Sequence, residues 1–321
     1  MKINLITPAK KHSRNGNRTS ALRWAEFLSV SGHEVAVETD YDGSPCDLMI
    51  ALHAWRSADA VKRYKTKHPD GALIVALGGT DVNTFLKTEP ELTISTMEAA
   101  DALVCLHDQI REALPKHLLA KLHVIIQSAS PLPYPRKVDE MRFDICVIGH
   151  LRDEKDPLRA AMAARLMPAA SKLQVIHLGK AHNDAWAHKA RREQAENPRY
   201  HWQGEVSAED VRAEFAKTRL MVLSSNQEGG ANVISEAIVA GVPILASNIP
   251  GNTGLLGKSY PGLFPVGDER ALAGYLHRTE TEPGFIAELQ EYCMKLKPRF
   301  LPEREALAWK EVIDGLNVSV Y

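Results

Sequence analysis

The chain has few cysteines, no long apolar run and no excess of charge of either sign. Its 321 residues include 39 Lys and Arg against 40 Asp and Glu, which gives a formal net charge of −1. Proteins that bind nucleic acid normally carry a net basic surface, so this balance argues against nucleic acid and favours small-molecule partners. No apolar stretch approaches the roughly 20 residues that span a bilayer, and we expect no stable membrane insertion.

The first residues, MKINLITPAKKHSRNG, turn polar too early for a secretory signal peptide, so we expect a cytoplasmic protein. The four cysteines, Cys46, Cys105, Cys146 and Cys293, stand far apart and lack the paired spacing of a zinc or redox site. Three of them lie within or beside apolar runs, which favours buried, reduced thiols. We expect neither a bound metal nor a cofactor.

Short apolar runs alternate with helical patterns along most of the chain. The first half contains INLIT, EVAVET, DLMIAL, LIVAL, ALVCL and LHVII, and the second contains FDICVIG, LQVIHLG, RLMVLSS and PILAS. Strands of this length that alternate with helices indicate βαβ units and parallel sheets buried on both faces. Residues 128–140 hold three prolines without apolar periodicity, which is typical of a linker.

We therefore predict an α/β protein with two Rossmann-like, doubly wound parallel-sheet domains. The first covers 1–135, the second covers 141–300, and a terminal helix over 301–321 is expected to pack back on the first domain. Ligands of such sheets bind beyond the carboxyl ends of the strands. We expect a single cleft between the domains and look for function in the loops that follow strands.

The run SSNQEGGANVISEAIVAGVP, residues 224–243, places two glutamates around a glycine pair and a helix start. Gly229 and Gly230 allow close backbone approach, and the first amides of the helix suit a phosphate. Glu236, inside that helix, can accept hydrogen bonds from ribose hydroxyls, and Glu228 from the hydroxyls of a second ring. The alternative is a glutamate that stabilises a helix N-terminus beside plain turn glycines.

Two cations follow the strand FDICVIG. Arg152 and Lys155 would neutralise charge on a departing diphosphate if a nucleotide is the leaving group. The alternative is a solvated loop in which both pair with Asp153, Glu154 or Asp156.

A third feature follows the first strand, where RNGNR precedes a helix. It suggests an anion site made of a glycine turn, a helix N-terminus and arginines, although a plain surface loop is the alternative. Its residues are Arg14, Asn15, Gly16, Asn17 and Arg18.

Two further strand ends open toward the predicted cleft. His53 follows the third strand, and Thr80 and Asp81 follow the fourth. The alternatives are a structural histidine and a turn with a helix cap.

Together, EGGANVISE, AGVPILAS, VIGHLRDEK and GGTD resemble the GT-B glycosyltransferases, in particular the large retaining family that contains sucrose and glycogen synthases. The resemblance implies a nucleotide-sugar donor in the second domain, with Glu236 on the ribose and Glu228 near the sugar hydroxyls. His150 stands where that family usually has arginine, and Arg152 takes the role only if the loop is rearranged. The other implied donor-binding residues are Gly149, Lys155, Gly229, Gly230, Ala231, Asn232 and Val233.

A narrower set of strings resembles the selenosugar synthases of selenoneine biosynthesis. They include GNRTSALRWAEFL, VIGHLRDEKDPLRAA, NPRYHWQGE and GLLGKSYPGLFPVGD, all in the same order. The likeness implies transfer of a sugar, notably N-acetylglucosamine, from its UDP derivative to selenophosphate, which yields a 1-seleno sugar. Selenophosphate already carries a soft nucleophile, so the cations around Gly16 matter more for it than a base. A hydroxyl acceptor would instead benefit from a base such as His53 or Asp81.

Three hypotheses follow. The first is a UDP-sugar-dependent selenosugar synthase, in which UDP-sugar and selenophosphate are substrates. Its catalytic residues would be Arg152, Lys155, Glu228 and His53, and its acceptor would contact the RNGNR loop, His53, Thr80 and Asp81. The second is a glycosyltransferase that acts on a hydroxyl of a small molecule or lipid. The third is a nucleotide-sugar-binding protein without turnover.

Overall fold

The computed structural model of the protein describes residues 1–12 and 16–316. The chain forms two compact units, one made of Met1–Gln127 with the residues from Pro302 onward, the other of Ser128–Leu301. Each unit is built on a six-stranded sheet in which every strand pairing is parallel. The predicted α/β class with two Rossmann-like parallel-sheet domains is therefore confirmed.

The first unit contains the strands β1 (Lys2–Ile6), β2 (Glu34–Glu38), β3 (Leu48–Leu52), β4 (Ala72–Ala76), β5 (Ala102–Cys105) and β6 (Leu122–Val124). They pair in the order β2-β1-β3-β4-β5-β6. Its helices before the second unit are α1 (Gly16–Val30), α2 (Ala58–Lys67), α3 (Leu86–Thr88) and α4 (Pro90–Ala99). A π-helical turn spans Asp81–Phe85, and 3-10 turns span Asp108–Glu112 and Lys116–Lys121.

The second unit contains the strands β7 (Phe143–Ile148), β8 (Leu173–Leu178), β9 (Tyr200–Trp202), β10 (Leu220–Leu223), β11 (Ile244–Ser247) and β12 (Leu263–Phe264). They pair in the order β12-β11-β10-β7-β8-β9. Its helices are α5 (Arg159–Arg165), α6 (Asp184–Glu196), α7 (Ala208–Lys217), α8 (Asn232–Ala240), α9 (Pro250–Leu256), α10 (Glu269–Thr281) and α11 (Pro283–Leu296). The 3-10 turns of this unit span Asp153–Lys155 and Lys297–Phe300.

The last helix, α12 (Pro302–Asp314), belongs to the first unit and packs beside α1. Both faces of the first sheet are covered, as expected for strands that are apolar along their whole length. One face packs against Val61, Tyr64 and Met97, and the other against Trp24 and Trp309. Burying each such side chain stabilises the fold by about 1.5–3 kcal/mol.

The proline-rich segment 128–140 is bound to the second unit. Arg136 donates to the carbonyls of Phe215, Thr218 and Gly241, and the Lys137 amide donates to a carbonyl of α7. Composition suggests a linker, but the long-range partners of Arg136 tie this segment down.

The burial of the cysteines agrees with the expectation from the sequence. All four cysteines are free, and all but the half-buried Cys46 are fully buried. Burial raises the pKa of Cys105 to about 12 and that of Cys293 to about 11, so both are neutral thiols. No helix within the described ranges is long and apolar enough to cross a membrane.

Candidate active site

The order of the second sheet reverses between β7 and β10, which are hydrogen-bonded neighbours. In parallel α/β sheets such a reversal opens a crevice at the carboxyl ends of the strands, where ligands bind. The loops that follow β7 and β10 meet there, because the Asn226 amide donates to the Glu154 carbonyl at 2.8 Å. The two loops that the sequence analysis assigned to a donor nucleotide are therefore in contact.

Lys155 and Glu228 form an ion pair across these two loops. Lys155 Nζ lies 2.5 Å from Glu228 Oε1, and Ser225 Oγ donates to the same oxygen at 2.6 Å. The two side chains are 18% and 9% exposed, so the pair is largely withdrawn from water. Lys155 thus pairs outside its own loop, unlike in the solvated-loop alternative. Arg152 follows that alternative, with Nη1 3.8 Å from Glu154 Oε1 and a side chain 43% exposed.

Buried contacts beneath Glu228 fix its loop. Ser247 Oγ donates to the Ser225 carbonyl at 2.5 Å, and Asn252 Nδ2 donates to the Ser247 carbonyl at 2.9 Å. A Cβ at Gly251 would lie 2.3 Å from the Glu228 carbonyl oxygen, so only glycine allows α9 to approach this closely. Sequence reasoning missed these supporting residues. Their signal was the string SNIPGN, which begins at the end of β11.

Helix α8 starts directly after the glycine pair. Gly230 has a φ of +119°, a conformation that favours glycine, and Gly229 beside it is half-buried. The N-cap residue Ala231 supplies no side-chain cap, and the first turn carries no acid. The amides of that turn, from Asn232 on, therefore present a partial positive charge without a carboxylate in the turn. The arrangement suits an anion.

Two further predicted donor residues lie on the same helix. Val233 is buried, and Glu236 is half-buried on the second turn of α8.

A buried histidine holds the backbone at the end of β7. His177 Nε2 lies 3.1 Å from the Gly149 carbonyl oxygen and must donate to it, so Nδ1 accepts from the Tyr200 hydroxyl at 2.8 Å. Burial lowers the pKa of His177 to about 4, partly offset by the Gly149 contact, and the ring is neutral. A Cβ at Gly179 would lie 1.9 Å from the Gly149 oxygen, which requires glycine there. None of these three supporting residues was singled out in the sequence.

His150 offers a hydrogen-bond donor and not a fixed charge. The Lys180 amide donates to His150 Nδ1 at 3.2 Å, which leaves the proton of the neutral ring on Nε2. Burial, and then the nearby Arg152, lower the pKa of His150. His150 therefore differs in chemistry from the arginine of the resembled family, and the cations of this loop are Arg152 and Lys155.

In the first unit the strand order reverses between β1 and β3. His53 follows β3, and its Nδ1 lies 3.1 Å from Oδ2 of Asp81, with the two residues 5% and 0% exposed. Asp81 also accepts from the amides of Ala54, Trp55 and Gly78 at 2.8 to 3.0 Å. Burial raises the pKa of Asp81, but His53 and the amides outweigh burial and the net pKa is lowered. The carboxylate is ionised, and the backbone groups that it binds are not those of a helix cap.

His53 has an unusual backbone conformation. Its φ of +71° lies in a region that residues other than glycine rarely adopt. The ring covers Gly78, where a Cβ would come within 2.0 Å of ring Cε1. Asp81 opens the π-helical turn, a feature frequent at functional sites, and Phe85 at its end stacks on Trp55 with ring centroids 4.0 Å apart.

The predicted acceptor loop is described in part. Gly16 begins α1, Asn17 is half-buried and Arg18 is 7% exposed, with no acid in the first turn. Arg14 and Asn15 lie outside the described residues. Thr80 Oγ1 is buried and has no hydrogen-bond partner in the part of the chain that is described.

Across residues 1–12 and 16–316, no group of three or more His, Cys, Asp or Glu side chains is arranged to hold a metal ion.

Comparison with known proteins adds a family match. The model of the family "Glycosyl transferases group 1" matches residues 134–296. The chain is 25% identical over 293 residues to glycosyltransferase 1 domain-containing protein 1 of Xenopus tropicalis, covering 82% of this chain and 83% of the relative.

Solved structures share the fold. Sucrose-phosphate synthase from Thermosynechococcus elongatus superposes with a TM-score of 0.80 at 14% identity, covering 98% of both chains. Anabaena HepE, solved in complex with UDP-glucose, superposes with a TM-score of 0.78 at 14% identity, covering 98% of this chain and 100% of HepE.

Proposed function

The chain belongs to the group 1 glycosyl transferases, and from that premise we propose that it transfers a sugar from a UDP-sugar to selenophosphate. The product would be a sugar with selenium on its anomeric carbon. We further propose N-acetylglucosamine as the sugar, on the resemblance of the ordered sequence strings to selenosugar synthases.

One observation carries the donor half of this proposal: the Lys155–Glu228 pair beside the start of α8, at the strand reversal of the second sheet. A departing UDP gains negative charge on its diphosphate as the bond to the sugar breaks. In this proposal Lys155 and the first amides of α8 stabilise that charge. Glu236 on α8 would accept from the ribose hydroxyls, and Glu228 from hydroxyls of the sugar. HepE, which shares the fold, was solved with UDP-glucose.

Selenophosphate as acceptor is supported by the first unit. Its selenium is a strong nucleophile that needs no general base for activation. Binding of selenophosphate therefore mainly requires positive charge near the phosphate oxygens. Arg18 lies at the start of α1, whose first turn carries no acid, and α1 follows β1 at the strand reversal. The substrates are held by side chains and amides alone in this scheme, without a metal or cofactor.

A hydroxyl acceptor is the second candidate, and the His53–Asp81 pair favours it, because a hydroxyl benefits from a base. Docking on a lipid surface finds little support in the basic stretch of α2. There Arg63 pairs with Asp40, Lys65 donates to the carbonyls of Pro69 and Gly71, and Lys67 donates to the Gly43 carbonyl. These cations already have partners within the protein.

The test is an acceptor comparison. The protein is incubated with UDP-N-acetylglucosamine and selenophosphate, inorganic phosphate or no acceptor, and UDP and seleno sugar are measured by mass spectrometry. We expect UDP release and a selenium-containing sugar only with selenophosphate. UDP release that is indifferent to selenophosphate would contradict the proposal, and tight UDP binding without turnover would favour a binding protein.

A further inference from the structure

We propose that His53 is the general base of a second reaction in the same protein, hydrolysis of the selenium–phosphorus bond. This inference rests on the proposed function. Transfer of a sugar to the selenium of selenophosphate gives a product that still carries phosphate on selenium. A free 1-seleno sugar requires that bond to be broken.

The orientation of His53 suits a base. Its Nδ1 lies 3.1 Å from the Asp81 carboxylate, which is fully buried, and this leaves Nε2 for a ligand. A carboxylate behind one ring nitrogen fixes the ring and stabilises the imidazolium that forms when the other nitrogen takes a proton. Asp81 is itself fixed by three backbone amides. Asp81 is therefore held beside the ring of His53 without a ligand.

The backbone conformation around His53 is unfavourable, and a side chain that only fills space would not require it. The residue keeps a positive φ although it is not glycine, and it needs glycine at position 78 to make room for the ring. Strained backbone of this kind persists where the surrounding structure holds it, and it clusters at functional sites. Trp55 and Phe85 stack at the same strand ends.

The proposed anion site for the phosphate of the intermediate follows β1, the strand next to β3. β1 and β3 are neighbouring strands, with Ile6 paired to Ala51. The chain leaving β1 leads to α1 and Arg18, while the chain leaving β3 leads directly to His53. An anion site and a base thus follow two adjacent strands at their carboxyl ends.

The step balances as a hydrolysis. A water oxygen attacks phosphorus and gives one proton to His53 Nε2. The phosphorus–oxygen bond forms, the selenium–phosphorus bond breaks, and its electron pair stays on selenium as a selenolate. Inorganic phosphate leaves, and the proton on His53 passes to solvent or to the selenolate. No oxidant or reductant is required.

The decisive experiment supplies the intermediate directly. The protein is given synthetic N-acetylglucosamine phosphorylated on a 1-seleno group, without UDP-sugar, in water enriched in oxygen-18. We expect the wild type to accelerate phosphate release over buffer, with the label in the phosphate. His53→Gln should lower this rate on the order of 100-fold, the usual contribution of a general base. Label in the sugar, or no acceleration by the wild type, would overturn the proposal.

Two variants separate catalysis from folding. His117 forms a matched but exposed pair with Glu98, Nε2 to Oε1 2.9 Å, so His117→Gln should leave hydrolysis unchanged. Asp81→Asn tests positioning, because an amide removes the negative charge that lies beside the ring and stabilises the imidazolium. We expect it to lower kcat for hydrolysis while KM for the phosphorylated sugar changes less than about threefold. Equal hydrolysis rates in wild type and His53→Gln would refute the assignment.

A donor-dependent assay distinguishes this inference from the proposed function. With UDP-sugar and selenophosphate, His53→Gln should release less phosphate than UDP, whatever its rate of UDP release, and the phosphorylated seleno sugar should accumulate. Failure of the wild type to release UDP in response to selenophosphate contradicts the proposed function. Equal amounts of UDP and phosphate released by His53→Gln would contradict only the role of His53.

Discussion

Lys155 and Glu228 are 73 residues apart in the chain, and their charged atoms are 2.5 Å apart. The sequence pointed to each separately, the lysine for a diphosphate and the glutamate for sugar hydroxyls. Their contact depends on the pairing of β7 with β10, which no local pattern reveals. The pairing would add a second role to the one proposed for the glutamate, because Glu228 holds the ammonium of Lys155 in place. Preorganised charge of this kind is effective because it need not reorganise as the reaction proceeds.

Replacing Lys155 with glutamine tests this role. We expect kcat for UDP release to fall on the order of 100-fold, because the charge that stabilises the leaving diphosphate is lost. Lys180→Gln is the matched control, since Lys180 pairs with Glu205 at 3.7 Å in the same unit but is 65% exposed. Initial rates at saturating donor measure the effect. A Lys155→Gln enzyme within threefold of the wild type would exclude a role for this cation in the transition state.

At the scale of elements, the sequence predicts the strands well because buried parallel strands are continuous apolar runs. A helix was expected directly after the glycine pair, and α8 spans Asn232–Ala240. Several elements were not predicted, among them the two-residue β12, the π-helical turn and α9. The π-helical turn has no periodicity of its own, and α9 is short and buried nearly throughout. The π-helical turn begins with Asp81 in the first unit, and α9 approaches the backbone of Glu228 in the second.

The residues that support the site could not be predicted from local sequence patterns either. His177 stands within an apolar strand, and its bonds to Gly149 and Tyr200 join three neighbouring strands or their ends. A single histidine in a strand carries no such information in the sequence. Strand ends identify candidate ligand-binding residues, whereas the residues that hold them become visible only in the assembled sheet.

The buried His177 predicts how stability depends on pH. Its pKa is lowered from 6.5 to about 4, so the unfolded chain binds the proton more readily. The contribution of neutral His177 to the free energy of unfolding is complete above pH 6.5. It is lost as the pH falls from 6.5 toward 4, and the loss is about 3 kcal/mol. Urea unfolding at pH 7.5 and pH 4 measures this loss. His177→Gln should lose about 3 kcal/mol less than the wild type over that range.

A neighbouring histidine provides the control for this measurement. His201 on β9 pairs with Gln174 at 2.7 Å and is only partly buried. His201→Gln should keep the pH dependence of the wild type. Parallel pH profiles for the wild type and His177→Gln would show that His177 does not titrate as described.

At the scale of the whole molecule, the chain enters and leaves the second unit once. Ser128–Leu301 is one continuous segment, whereas the first unit is completed only by the return of α12. The contact between α12 and α1 has a charged centre, because Glu305 is 1% exposed and accepts from Trp24 Nε1 at 2.7 Å and Arg23 Nε at 2.9 Å. Trp24 and Trp309 pack above it with ring centroids 4.8 Å apart. Helix α1 also carries Arg18, so this contact anchors the proposed acceptor-binding helix.

Glu305→Gln should therefore affect the two units unequally. The amide keeps an acceptor for Trp24 but removes the charge that Arg23 faces, which costs about 1–3 kcal/mol. Hydrogen exchange should show faster opening in α1, β1 and α12, and little change in the amides of the second unit. UDP affinity, measured by calorimetry, should stay within twofold because the proposed donor residues all lie in Ser128–Leu301. Glu303→Gln, on the exposed side of α12, should change neither quantity. Loss of UDP affinity in Glu305→Gln, with the second unit still protected from exchange, would place part of the donor site in the first unit.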